Sequence, residues 1–259
     1  MRVMGRIPGR LLDRIERAAA HAQGKGFGAI SIDHEVAAIR RVLPAGAAVR
    51  QVVDVGANKG LWTAAALAAF PDAHVHAFEP SDALQEGLRA RYGAEPRVTL
   101  NDVALAAEPG TATLHSDVPG SGLASLTARN LEHVGVSMDH EQQVVVTTLD
   151  AYVAERGIDR VDVLKIDVEG HELDVLRGSE RTLAGTSVVQ FEFGGTAIDT
   201  RTFFRDYWYF FADSGFTLWR IGPWAVQQVT RYTEADENFL CTNYLAVQPR
   251  PRPLSGAGG

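Results

Sequence analysis

The sequence predicts an α/β fold, a mostly parallel sheet with helices on both faces, and three observations carry that expectation. Strand and helix patterns alternate from residue 51 to residue 101. Such alternation is what βαβ units produce, because each crossover helix covers one face of the sheet. The run Val52-Val53-Asp54-Val55 is short and apolar, ends at Gly56, and leads into an Ala-rich helical pattern behind Gly60. It suits a parallel strand buried on both faces. An acid, Glu79, follows the next run, His74–Phe78, nineteen residues after Gly60. An acid at the end of the second strand of such a unit commonly accepts hydrogen bonds from ribose hydroxyls.

The elements follow in order. Two helices are expected before the first core strand, over about Pro8–Gln23 and Asp33–Leu43. Strands at 51–55, 74–78 and 97–101 alternate with helices at 60–70 and 81–92. Thr111–His115 and Gln143–Thr148 read as extra strands. Between them the polar Gly/Ser stretch Ser116–Asp139 is long enough to be a functional loop or lid. Thr148-Leu149-Asp150 looks like a helix start, and Gly157 like its C-cap. Val161–Ile166 and Ser187–Phe193 are buried strands around a helix over Gly170–Ala184. An aromatic-rich helix is expected over Thr200–Ser214. Phe216–Ile221 and Thr242–Val247 close the sheet. Residues 1–48 thus read as a helical extension, 49–248 as the main domain and 249–259, rich in Pro, Gly and Ser, as a disordered tail.

Composition narrows the partners. The 259 residues carry a net charge of −7, and no basic run is interleaved with aromatics, so nucleic acid is not an expected substrate. The single cysteine, Cys241, allows neither an internal disulfide nor a cysteine zinc site. Met1–Gln23 is Arg-rich with interrupted apolar residues and lacks the apolar core of a signal peptide. No stretch reaches the ~20 apolar residues of a membrane-spanning helix. A cytoplasmic setting is expected.

The glycine spacing bears on the cofactor. A dinucleotide fingerprint has G-x-G-x-x-G, whereas this turn has Gly56 and Gly60 only, with Asp54 inside the strand before it. A carboxylate there would repel a pyrophosphate. It would attract the ammonium and sulfonium of S-adenosylmethionine. The structural alternative is a tight turn with no ligand and a solvated Glu79.

The run Lys165-Ile166-Asp167-Val168-Glu169-Gly170-His171-Glu172-Leu173-Asp174-Val175-Leu176-Arg177-Gly178 resembles the FkbM family of S-adenosylmethionine-dependent methyltransferases. The family's other landmarks stand in order: DVGANKG at 54–60, FEPS at 78–81, Asn101–Leu105, and Thr148-Leu149-Asp150. The resemblance covers residues 51 to about 195. It implies a Rossmann-like class I methyltransferase fold with seven strands, the last antiparallel. It also implies O-methylation of a hydroxyl on a sugar, polyketide or other secondary metabolite.

Site candidates combine both readings. For the cofactor they are Asp54, Gly56, Ala57, Asn58, Gly60, Glu79, Pro80, Ser81, Asp102, Val103 and Asp167. Glu79 would bind the ribose, Asp102 the adenine amino group, and Asp54 would orient the methionine end, directly or through water. Methyl transfer to a hydroxyl needs alignment and a base. Asp167, Glu169 and Glu192 lie at strand ends that face one cleft, with His171 nearby, and Asp167 is the first choice of base. Ser121 and Ser125 are candidates for substrate contact. Three acids together would also accept Mg²⁺, although no metal signature is present. The run Tyr207–Phe211 is core, with sugar stacking or a homodimer contact as further uses. Three alternatives stand beside O-methylation. One is N- or carboxyl-methylation. A second is a nicotinamide oxidoreductase, disfavoured by the glycine spacing and the missing Tyr-x-x-x-Lys pair. The third is a non-catalytic cofactor-binding protein.

Overall fold

The computed structural model describes residues 9–28, 31–249 and 251. Helices α1 (Gly9–Ala22) and α2 (Ile32–Val42) precede β1 (Gln51–Val55). There follow α3 (Leu61–Ala69), β2 (His74–Phe78), α4 (Asp82–Tyr92) and β3 (Val98–Asn101). Next come β4 (Ala104–Leu105), β5 (Gly110–Ser116), β6 (His140–Thr147), α5 (Leu149–Arg156) and β7 (Val163–Ile166). The chain continues through α6 (Glu172–Arg177), α7 (Glu180–Leu183), β8 (Val188–Phe193), α8 (Thr196–Thr200) and α9 (Phe204–Asp213). It ends in β9 (Thr217–Ile221), β10 (Val226–Val229) and β11 (Thr242–Val247).

The main sheet runs β10-β9-β11-β8-β7-β1-β2-β3. From β3 to β8 the strands are parallel. β11 lies antiparallel between β8 and β9. This is the expected sheet, with its last strand reversed. The order turns back at β1: β2 and β3 lie to one side, β7 and β8 to the other. A crevice therefore opens at the carboxyl ends of β1 and β7, where ligands bind in open α/β sheets.

Successive side chains of a strand point to opposite faces, and the core divides accordingly. On one face α2 and α3 bring Val36, Ile39, Trp62 and Ala66 over Val52, Val163 and Val188. On the other, α5, α6 and α9 bring Leu149, Val153, Leu176 and Phe211 over Val53, Leu164 and Phe191. Burying such side chains contributes roughly 1.5–3 kcal/mol each. α2 is thus part of the core, whereas α1 buries none of its residues. In the aromatic run, Tyr207 and Phe211 stack on Phe191, while Tyr209 is exposed. No helix among the described residues is long and apolar enough to cross a membrane. Of the tail expected to be disordered, all but Pro249 and Pro251 lies outside the described residues, as do residues 1–8.

The structure departs from expectation at four places. The main sheet has eight strands, not seven. The added β10, Val-Gln-Gln-Val, is an edge strand with exposed central glutamines, so no buried face marks it in the sequence. β4, β6 and β5 form a separate three-stranded sheet. The helix expected over 170–184 is two short ones. At Gly178, between them, a β-carbon would lie 2.0 Å from the Ala106 carbonyl oxygen. This close backbone approach bends the chain away from one continuous helix. The helix expected from Thr200 starts at Phe204 instead, where Asp206 accepts from the Phe203 N–H at 2.9 Å.

Candidate active site

Two adjoining clefts lie at the carboxyl ends of the central strands, and they share Asp167 and Glu169. The first runs between the β1 turn and the 116–139 segment. Gly56, Asn58, Phe78, Glu79, Pro80 and Val103 line one side of it, and Ser121, Ser125, Leu126 and His171 the other.

The β1 turn builds this cleft. Gly56 has φ +75°, and a β-carbon there would lie 1.9 Å from the Asp167 carbonyl oxygen. Only glycine lets the β1 and β7 exits meet in this way. The Glu79 carboxylate closes the turn. It accepts from the Asn58 N–H at 2.8 Å on one oxygen and from the Ser81 N–H at 2.9 Å on the other. Burial raises the Glu79 carboxyl above its ordinary value, against the pull of those two donors.

The cleft fits S-adenosylmethionine on observations of these residues. A carboxylate accepts about four hydrogen bonds, so Glu79 retains acceptor capacity for a pair of ribose hydroxyls. Phe78, Val103, Leu105 and Leu126 offer apolar walls to a flat ring. The Asn58 Oδ1 atom is buried without a hydrogen-bond partner, an acceptor that a donor on a bound molecule would satisfy.

Several expected cofactor residues stand outside the lining. Asp54 is fully buried beneath it; it accepts from Thr63 Oγ1 at 2.6 Å and faces Lys165 Nζ at 3.3 Å. Its charge is answered inside the protein by Thr63 and Lys165. Asp102 is exposed, 3.8 Å from Arg89. Gly60 packs against Tyr92, and Ala57 and Ser81 are buried behind the turn.

The second cleft lies on the α2–α3 side. Gly28, Ser31, Asp33 and Glu35 form its outer wall, Leu61, Ala64 and Ala65 of α3 its floor, and Asp167, Glu169, Glu192 and Asn243 its inner wall. A polar row leads to it under α3. Asp54, Lys165 and Gln190 are register neighbours on β1, β7 and β8. Lys165 Nζ donates to the Gly56 carbonyl at 2.9 Å and lies 3.5 Å from Asp167. Burial pushes the Lys165 ammonium down, but Asp54 and Asp167 push it further up, so it stays charged.

The acids expected to do chemistry all reach this second cleft. Burial, then Asp167 and Glu192, raise Glu169 to about 8 although Arg129 Nη1 donates to it at 2.7 Å. Burial, then Asp167, raise Glu192 to about 7, and Cys241 Sγ donates to it at 3.0 Å. Among the described residues no group of three His, Cys, Asp or Glu side chains is placed to hold a metal ion. The arrangement of Asp167, Glu169 and Glu192 therefore does not fit the Mg²⁺ cage considered above. His171 has both ring nitrogens engaged, one with Asp174 and one with Thr127, each at 2.9 Å. It pins the 116–139 segment instead of offering a free nitrogen. Ser125 donates to the Glu169 carbonyl at 2.8 Å, while Ser121 lines the first cleft.

Four residues of the site carry no signal of their own in the sequence. Glu172 accepts from the Val168 and Gly170 N–H groups at 3.0 and 3.2 Å and braces the loop bearing Asp167 and Glu169. Arg129 ties that loop to Asp199. Lys165 and Glu35 complete the polar row. Lys165 and Glu172 do lie inside the motif run, and only the register shows what they hold.

The methyltransferase FkbM domain family matches residues 54–218, more than half of the chain. The chain belongs to this family. Its matched region is a methyltransferase domain, and the strand order above is that of the class I methyltransferase fold the motifs imply. The chain is 26% identical over 151 residues to 2-O-methyltransferase NoeI of Sinorhizobium fredii, covering 55% of this chain and 62% of that protein. It is 30% identical over 145 residues to Methyltransferase 1 of Beauveria bassiana, covering 49% of this chain and 57% of that protein. The matched region thus spans about three-fifths of the length of these two relatives. Among solved structures, the Methanococcus jannaschii fibrillarin pre-rRNA processing protein gives a TM-score of 0.45 at 10% identity, over 84% of this chain and 75% of that one. That likeness adds nothing to what the strand order already shows.

Proposed function

We propose that this FkbM-family protein transfers the methyl group of S-adenosylmethionine to a hydroxyl of a small natural product or glycan. The observation that carries the reading is the junction of the two clefts at Asp167. One cleft offers a carboxylate suited to ribose and apolar walls, the other a set of largely half-buried acids. The cofactor supplies an electrophilic methyl group on a good leaving group. The protein aligns the hydroxyl and takes its proton. Asp167 lines both clefts and is the first candidate for that base, followed by Glu169 and Glu192. The name of the Sinorhizobium relative, a 2-O-methyltransferase, supports transfer to oxygen.

Binding is tested with S-adenosylhomocysteine. Glu79→Ala is expected to weaken it about tenfold or more, the loss of charge-assisted hydrogen bonds worth roughly 1.5–3 kcal/mol. Calorimetry giving equal affinities would remove Glu79 from the ribose role. Tight binding of NADH by the wild type would overturn the reading. Turnover is then followed with labelled cofactor across a panel of hydroxyl-bearing acceptors.

The acids give the reaction a pH dependence. A carboxyl raised by burial to about 7 at Glu192 or about 8 at Glu169 is a base only when ionised. Where either of these is the base in place of Asp167, turnover is expected to rise with pH through that range and to be lost as pH falls below it. A flat profile of kcat across the same range would place the base on neither residue.

A further inference from the structure

Glu35 lies outside the region matched to the family, yet it forms part of the acceptor cleft wall. Its position is built. Trp62 Nε1 donates to Gln190 Oε1 at 3.3 Å, and Gln190 Nε2 donates to Glu35 Oε2 at 2.6 Å. Both Trp62 and Gln190 are buried. The relay therefore holds a carboxylate from α2 against the α3 floor, facing the strand ends. Among the described residues, every charged one lining the cleft is an acid: Asp33, Glu35, Asp167, Glu169 and Glu192. The nearby cations are already engaged, Lys165 with Asp54 and Asp167 and Arg129 with Glu169 and Asp199. Glu35 and Glu192 have neutral hydrogen-bond donors instead, Gln190 and Cys241.

Half-buried carboxylates crowded into one cleft repel one another, and a positive charge delivered between them relieves that repulsion. Burial raises the Glu35 carboxyl to about 7 despite Gln190 and Lys165, with Asp167 and Asp54 adding to the rise. Among the described residues no cation pairs with Glu35 or Glu192, and one from outside would. We propose that Glu35 is a specificity-determining residue of the methyl-transfer site, and that the acceptor it selects carries an ammonium group beside its reacting hydroxyl. This inference rests on the methyl-transfer reading. It also says why oxygen is methylated. An amine held as ammonium among carboxylates has no lone pair to attack the methyl group, and the hydroxyl does.

The test uses neamine, a hydroxyl-rich amino sugar compound, and its fully N-acetylated form. Each is titrated into the full chain saturated with S-adenosylhomocysteine, for the wild type, Glu35→Gln and Asp72→Asn. Asp72 is an exposed acid remote from the cleft and controls for general attraction to an acidic protein. Neamine is expected to bind the wild type about tenfold more tightly than the acetylated form. Glu35→Gln should lose about tenfold of the neamine affinity, the effect of one charge-assisted contact. Asp72→Asn should not change it. S-adenosylhomocysteine affinity should be the same in all three proteins, because Glu35 does not line the cofactor cleft. Equal binding of the two compounds, no binding of either, or equal losses in both variants overturns the assignment while the cofactor reading stands. Failure of the wild type to bind S-adenosylhomocysteine removes both.

Discussion

Asp167→Asn is expected to slow single-turnover methyl transfer by about two orders of magnitude, the scale of a lost general base, with little change in S-adenosylhomocysteine affinity. The amide keeps the shape of the side chain, and removes its charge beside Lys165 together with its ability to take a proton. Asp167 is the one acid at the junction that is substantially open, its side chain 44% exposed. The same substitution at Glu169 and Glu192 ranks the three. Glu169→Gln also weakens the pairing with Arg129, so a rise in KM there without a fall in kcat would mark a positioning role. Wild-type rates in all three amide variants would move the base elsewhere in the clefts.

The largest effect on stability is expected at Lys165. Lys165→Met leaves Asp54 fully buried with only Thr63 to answer its charge. Removing one partner of a buried ion pair typically costs about 3–5 kcal/mol, because the other charge is left uncompensated. For a chain of this length that is a fall of roughly 10 °C in the melting midpoint. The double variant Asp54→Leu with Lys165→Met removes both charges and should recover part of the loss. Recovery is incomplete because the Gly56 carbonyl still loses its donor. Thermal unfolding of the three proteins checks the prediction, and a single variant as stable as the wild type would show that the pair contributes little.

How much of this was legible in the sequence depended on how local the signal was. β1, β2 and β11 fall on the residues their apolar runs predict, because burial on both faces leaves no other pattern. The Thr148 and Gly157 caps of α5 are set by side-chain and backbone chemistry within the helix ends, and both are found. Glu79 and Asp167 are strand-end residues, so placing the strands places them. The polar row is different. Asp54 reads as a ligand-facing acid until the β1–β7 register sets it opposite Lys165, and register across a crossover is not a local property. Asp102 follows its strand end as expected, but the side chain turns to Arg89 and solvent. Gly178 reads as helix-compatible until Ala106, some seventy residues earlier in the chain, occupies the space beside it. Glu35 and Arg129 enter the site from segments with no motif, so only packing reveals them.

The contact at Gly56 has a mechanical consequence. The Asp167 carbonyl oxygen fills the place of a missing side chain, so the exits of β1 and β7 touch main chain to main chain. No flexible group lies between them to act as a hinge. A fluctuation that displaces one displaces the other, and the candidate ribose-binding turn and the candidate base move as one body. The opposite wall meets the loop after β7 through the side chains of Ser125, Thr127 and Arg129, beside its own backbone pairing of Ser125 with His115. Breathing of the cleft is therefore borne by that wall, and the fixed wall keeps the geometry between cofactor and base constant through each opening.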